Sequence, residues 1–346
     1  MKAMVLHAAG QPFVAEDRPD PKPGPGEAVA KVLACGSGLT IHHLRAGRGT
    51  ANFPIVIGHE ITGEIVEVGR TDGIATDLAV GDPVTVYFYL IEGEDKWTRA
   101  GRAPISTRNR GYVGRQIDGG YAEYIKLPIA NFIKLPEALD YKAHPAEVGV
   151  VTDAIATPYK VLRRGRVSPL DTVAIFGAGG GLGIHQIMMC KWARARVIAV
   201  DVAADKFAVC MKVGADAVVD ASGGDAVAQI MDLTDGAGVD VAIDYVSSKS
   251  TLETAVAALG IGGRLVTLGG NSQPFEAPAA DMLAKELELL GSRYCSYQEV
   301  LDSLAIVARG EVWPMVTETY RLDEVETVHA RLDRGQVTGR AAIVFD

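Results

Sequence analysis

Up to about residue 150, short apolar or alternating runs are broken by glycine and proline. Runs at 28–33, 64–68, 84–89 and 121–127 have the length and period of strands in an irregular, largely antiparallel β domain. Residues 19–26 read as a stiff turn, and the polar, Arg-rich stretch 92–115 as a long loop or lobe. Beyond residue 150 the rhythm changes. An apolar run at 173–176 leads into Gly177-Ala178-Gly179-Gly180-Gly181-Leu182-Gly183, a helical stretch follows to Arg194, and a second apolar run, 196–200, ends at Asp201. The alternation continues with strands at 217–219, 239–245 and 264–268 and a helix near 252–258, which predicts βαβ units and a parallel sheet. Helices at 298–309 and 322–333 and a strand at 341–345 close the pattern.

At 346 residues, two domains are the first expectation. Apolar residues at 48% and charged residues at 22% exclude a disordered chain. A net charge of −9 without a basic block argues against a nucleic-acid partner. No apolar run is long enough for a membrane span and no signal-peptide core is visible, so a cytoplasmic protein without a membrane partner is expected. Cys35, Cys190, Cys210 and Cys295 are scattered and form neither a disulfide framework nor a zinc ribbon.

The glycine cluster carries the first chemistry. It follows an apolar strand and opens a helix, and Asp201 lies 21 positions beyond Gly180, near the ~20 of a dinucleotide fold. Such glycines let the backbone approach a pyrophosphate at a helix N-terminus. Starting the six-residue fingerprint at Gly177 puts Leu182 at the third glycine, whereas Ala178-x-Gly180-x-x-Gly183 keeps it; the second register is preferred. Asp201 should bind the adenosine ribose diol and repel a 2′-phosphate, favouring NAD over NADP.

Several further motifs occur in order: Gly24-Pro25-Gly26-Glu27, Gly58-His59-Glu60-Ile61-Thr62-Gly63, Val80-Gly81-Asp82-Pro83-Val84, Gly119-Gly120-Tyr121-Ala122-Glu123-Tyr124 and Thr338-Gly339-Arg340. Together with the nucleotide loop they make the chain resemble the medium-chain dehydrogenase/reductase superfamily, in its zinc alcohol dehydrogenase-like branch, over essentially its whole length. The resemblance implies an α/β protein: a GroES-like β-rich catalytic domain from 1–150 and 291–346, and a Rossmann NAD-binding domain, a doubly wound parallel sheet, from 151–290. It implies that substrate and nicotinamide meet in a cleft between them. It places Thr157, Val246, Gly269 and Gly270 along the nicotinamide, Ala178, Gly180, Gly181, Leu182 and Gly183 at the dinucleotide, and Arg340 near the pyrophosphate. It also implies a homodimer or homotetramer.

The chain departs from the family at its metals. The family's catalytic zinc takes a Cys, a His, and a Cys or Asp, with a Glu after the His. Here His59, Glu60 and Asp153 match, but the first ligand position falls on Gly38, with Cys35 three residues earlier. The four structural-zinc positions correspond to Glu92, Asp95, Thr98 and Ser106, a set without thiols and poor for zinc. Ion pairs with Lys96, Arg99 and Arg102 are expected to order this lobe instead. The expectation is therefore an enzyme that uses NAD and no metal.

In that case acid–base groups must assist hydride transfer. The resemblance matches Thr40 to the hydroxyl that touches the substrate oxygen and His43 to a relay imidazole, with the cofactor ribose between them and His59 as a second hydrogen-bond partner. The leading function is an NAD-dependent alcohol dehydrogenase/ketone reductase acting on a small-molecule alcohol, ketone or enone. Reduction of an activated C=C bond, as in quinone or enoyl reductases, and a non-catalytic NAD-binding protein are the alternatives. His42 is expected at the surface or behind the site. His7, His144, His185 and His329 are expected to be structural, and Met188, Met189 and Trp192 core.

Overall fold

In a computed structural model of the chain, residues 1–270 and 272–345 are described. They divide into two compact units, Met1–Asp153 with the segment from Ser296 onward, and Ala154–Cys295.

Among the described residues of the first unit, strand Glu27–Ser37 is the spine. It pairs antiparallel with Glu60–Val68, Tyr124–Pro128 and Arg340–Val344. The sheet continues through Pro83–Val86 and Phe132–Lys134 on one side and Val316–Tyr320 on the other. From Ala28 to Ser37 almost every side chain is buried. A strand covered on both faces reads as continuously apolar, which is why this segment shows little alternation. The apolar run at 84–89 is divided between two strands, Pro83–Val86 and Tyr89–Ile91. The seven-residue helix Leu39–Arg45, which directly follows the spine, is too short for its periodicity to register in the sequence.

The second unit holds a parallel sheet in the order Ala217–Asp220, Arg196–Asp201, Thr172–Phe176, Val239–Asp244, Leu259–Thr267, Glu288–Gly291. In order of appearance that is 3-2-1-4-5-6, the doubly wound arrangement of dinucleotide-binding folds. Val173, Ala174 and Ile175 at its centre are fully buried, and Phe176, Ile198, Val200, Ile230 and Leu265 belong to the surrounding core. The glycine loop leaves the carboxyl end of Thr172–Phe176, where the strand order reverses, the place such sheets bind ligands. Among the described residues, no helix is long and apolar enough to cross a membrane.

Candidate active site

In the first unit, strand register gathers a buried polar cluster. Glu60 stands opposite Gly36, and Ala341 opposite Ser37, which brings Arg340 to the level of Gly38. Asp153 comes from the π-helical turn Val151–Ile155, a local irregularity often found at functional sites. His59, Glu60, Asp153 and Arg340 are each at most about 5% exposed. His59 Nε2 lies 3.9 Å from Asp153 Oδ2, and its ring packs on Phe88 with centroids 4.9 Å apart. Arg340 Nη2 donates to Glu60 Oε1 at 2.6 Å and to Asp153 Oδ2 at 2.8 Å.

Within the first unit the Arg340 side chain is engaged by this cluster. Its guanidinium is turned onto two carboxylates and lies over Gly38, so that a Cβ added at Gly38 would fall on Nη1. The Glu60 carboxylate likewise covers Gly36. Burial pushes Glu60 up to about 8, with the guanidinium of Arg340 pulling it down and neighbouring Asp153 pushing it up. For Arg340, burial opposes the charge, but Glu60 and Asp153 more than offset it. Three atoms in the cluster, His59 Nε2, Glu60 Oε2 and Arg340 Nε, are buried without a hydrogen-bond partner.

Donor atoms of His59, Glu60 and Asp153 lie within 4.8 Å of one another, close enough to gather a cation. Cys35 is not among them. Its thiol packs against Gly58 and Gly120, and burial pushes its pKa up.

Thr40 and His59 line one small cavity with Ile41, Leu44 and Gly58. His43 lies one helical turn after Thr40 and is half-buried, and burial together with Arg48 and His42 lowers its pKa. His42 is buried rather than at the surface, bonded through Nε2 to Asp333 at 2.9 Å. Beside it runs a chain that the sequence did not reveal: Ser37 Oγ bonds Tyr121 Oη at 2.5 Å, and Tyr121 Oη bonds His329 Nε2 at 3.1 Å.

In the second unit, Gly180 caps helix Gly181–Trp192. Gly183 is pressed so closely on the strand end that a Cβ would fall on Gly177 O, which is the packing role of a third fingerprint glycine. Ala178 and Thr157 are fully buried, while Gly181 and Leu182 are half-buried. Asp201 accepts the N–H groups of Gly179 at 2.8 Å, Val202 at 2.8 Å and Ala203 at 3.0 Å, tying the loop to the next strand. Val246 is exposed, and Gly269 N donates to Ser247 Oγ at 2.8 Å, leaving Gly270 with open space about it. Trp192 is not core; it is 36% exposed, edge-on to Tyr159.

The lobe at 92–115 is organised by Asp95 rather than by ion pairs. One oxygen accepts from Trp97 N and Thr98 N at 2.9 Å, the other from Ser106 Oγ at 3.0 Å, Thr107 N at 2.8 Å and Thr107 Oγ1 at 2.9 Å. Arg99 pairs with Glu94 on the surface, and Lys96 and Arg102 lie over the Trp97 ring.

A GroES-like β unit joined to a doubly wound dinucleotide-binding unit defines a class of protein. The chain matches the alcohol dehydrogenase GroES-like domain over residues 24–137 and the zinc-binding dehydrogenase family over residues 181–309, and it belongs to the medium-chain dehydrogenase/reductase superfamily. It is 32% identical over 357 residues to an NAD-dependent alcohol dehydrogenase of Sulfurisphaera tokodaii, covering 99% of this chain and 100% of that one. An alcohol dehydrogenase of Geobacillus stearothermophilus is 32% identical over 348 residues, covering 99% and 98%. The crystal structure of the alcohol dehydrogenase from Aeropyrum pernix superposes with a TM-score of 0.90 at 32% identity, covering 100% of both chains.

Proposed function

We propose that this chain is an NAD-dependent alcohol dehydrogenase/ketone reductase that works without zinc. The observation that carries the acid–base part is that Thr40 and His59 line the same small cavity, with His43 one turn along the helix from Thr40. The strand–loop–helix with Asp201, and full-length relatives named as NAD-dependent alcohol dehydrogenases, support the redox part.

The residues present do not fit a resident zinc. Gly38 offers no side-chain ligand atom, and one oxygen of Glu60 and one of Asp153 are already bonded to the Arg340 guanidinium, whose charge opposes a dication there. Three N/O donors and a water make a workable zinc site only when the space between them is open.

The chain fits NAD better. Gly180, Gly181, Leu182 and Gly183 would hold the pyrophosphate, Asp201 the adenosine ribose, and Thr157, Val246, Gly269 and Gly270 the nicotinamide end. Bound NAD+ supplies the acceptor for a hydride from the carbinol carbon. The residues of the chain handle the proton. The Thr40 hydroxyl accepts the hydrogen bond of the substrate hydroxyl. His43, whose lowered pKa keeps its imidazole neutral near pH 7, accepts the proton at the end of the relay and passes it to solvent. His59 Nε2, free of any other hydrogen bond, steadies the alcohol oxygen. In the reverse direction the same groups polarise a ketone. A homo-oligomer in the cytoplasm completes the reading.

Turnover of an alcohol panel, followed as NADH formation, tests it. His43→Ala should lower kcat by about 10²-fold or more, the usual worth of a positioned acid–base group. An unchanged kcat across the pH range would remove the relay. Asp201→Ser should lower kcat/KM for NAD+ and raise it for NADP+, because the carboxylate that repels a 2′-phosphate is gone.

A further inference from the structure

We propose that the Arg340 guanidinium is the permanent cation of the His59–Glu60–Asp153 site, and that it keeps divalent metals out. The inference rests on the zinc-free reading above and names its cause. One nitrogen of the guanidinium bonds both carboxylates, Glu60 Oε1 at 2.6 Å and Asp153 Oδ2 at 2.8 Å. Another stands where a side chain on residue 38 would begin. A ligand side chain at that position and this placement of Arg340 are therefore mutually exclusive. Register fixes the arrangement, since Arg340 opens the strand that pairs with the end of Glu27–Ser37.

Charge and chemistry point the same way. A dication bound to these oxygens would lie within a few ångströms of a guanidinium that stays protonated at any ordinary pH. Unlike a metal, a guanidinium cannot be chelated or exchanged. It satisfies one oxygen of each carboxylate and leaves Glu60 Oε2 and His59 Nε2 as buried atoms with no protein partner. Arg340 acts here as a positioning residue, holding Glu60 and Asp153 beside His59.

The test compares wild type, Arg340→Gln and Arg340→Lys, each incubated with zinc sulfate and dialysed, with zinc per chain read by elemental mass spectrometry and folding by circular dichroism. Glutamine removes the charge, whereas lysine retains it. Wild type and Arg340→Lys should stay nearly zinc-free, and Arg340→Gln should take up about one zinc per chain, as a single catalytic-type site does. Its zinc affinity should rise at least about a thousandfold, the effect of removing even one unit of like charge about 4 Å away at an effective dielectric of about 20.

A folded, zinc-free Arg340→Gln alongside zinc-free wild type would overturn the inference alone. Arg340→Lys loading as fully as Arg340→Gln would do the same. Wild type carrying one zinc per chain would overturn the zinc-free reading itself. Should Arg340→Gln fail to fold in zinc-free buffer, the readout becomes its circular dichroism on refolding with zinc sulfate: a native spectrum regained with about one zinc per chain supports the inference, and none regained overturns it.

Discussion

The lobe at 92–115 and the cluster around Glu60 are the two places where the superfamily resemblance would put zinc, and in each a carboxylate stands at the centre. In the lobe, Asp95 sits near solvent and is surrounded by neutral donors, two backbone N–H groups in the first turn of helix Lys96–Arg99 and the groups of Ser106 and Thr107 across the loop. In the cluster, Glu60 and Asp153 are buried and share one guanidinium. The difference follows from burial. Near water, dipoles suffice to hold one negative charge, and they also cap a helix end. In the interior a negative charge needs a positive one, because desolvating it unpaired costs several kcal/mol, and even beside Arg340 burial holds Glu60 at about 8. A segment that needs only order can therefore be tied by hydrogen bonds, whereas a buried site that needs charge takes a full cation.

The largest expected effect breaks the buried pair. Arg340→Met leaves Glu60 and Asp153 without their cation and should lower the unfolding free energy by about 3–5 kcal/mol, the usual loss when one partner of a buried ion pair is removed. Denaturant unfolding at pH 7 measures it. Adding Asp153→Asn should recover part of the loss, since an uncompensated charge is then gone, whereas Glu60, held at about 8 by burial, is already protonated at pH 7. A loss under about 1 kcal/mol would make this pair no better than a surface one and erase the contrast with the lobe.

An intermediate effect lies in acid. His329 is buried against Tyr121 and Phe13, with His42 and Arg45 on helix Leu39–Arg45 and the Glu326 and Asp333 carboxylates on its own helix, Val325–Asp333. Burial, aided by His42 and Arg45, pushes its pKa down to about 3. An unfolded histidine titrates near ~6.5, so the unfolded chain binds a proton here before the folded one does. The stability is then fully present above ~6.5 and is lost as pH falls toward the folded value, at about 1.4 kcal/mol per pH unit. His329→Gln, which keeps a hydrogen-bond partner for Tyr121, should flatten the pH dependence of unfolding between pH 6 and 4 by about one proton. An unchanged slope would show that His329 is charged in the fold.

What could be read from the sequence divides along similar lines. The nucleotide loop was legible because its meaning is local: a strand, a glycine cluster, a helix start and an acid at the next strand end fall within one βαβ unit. Gly38 was legible as a missing ligand, because glycine has no side chain in any fold. The destination of Arg340 was not, because its partners lie 280 and 187 residues away and only strand register brings them together. The Ser37–Tyr121–His329 chain escaped for the same reason, and short helix Leu39–Arg45 because seven residues carry too little period. The five hydrogen bonds that converge on the Asp95 carboxylate come from within twelve positions of it, yet the sequence suggested ion pairs there, since charge is visible in a sequence and the direction of a backbone N–H is not.

The smallest effect on the whole molecule, and the one that most sharpens the contrast, concerns Asp95. Although desolvation pushes its carboxyl up, the N–H groups of Thr98 and Thr107 and the hydroxyls of Thr107 and Ser106 hold it well below the usual carboxylate range. With a depressed folded pKa, its contribution is present above the unfolded value near ~3.9 and is lost only as pH falls through the folded one. The lobe should therefore keep its hydrogen-exchange protection at pH 4, where the buried unit has already weakened through His329. Asp95→Ala should remove that protection and open Arg99, Arg102 and Arg108 to trypsin, while the global unfolding midpoint barely moves, because surface segments open locally with little effect on the core. Chelator should leave wild-type protection unchanged, since the order resides in hydrogen bonds to a carboxylate. Protection lost on chelation, or a large drop in the global midpoint of Asp95→Ala, would mean that lobe and core are not organised by the separate means argued here.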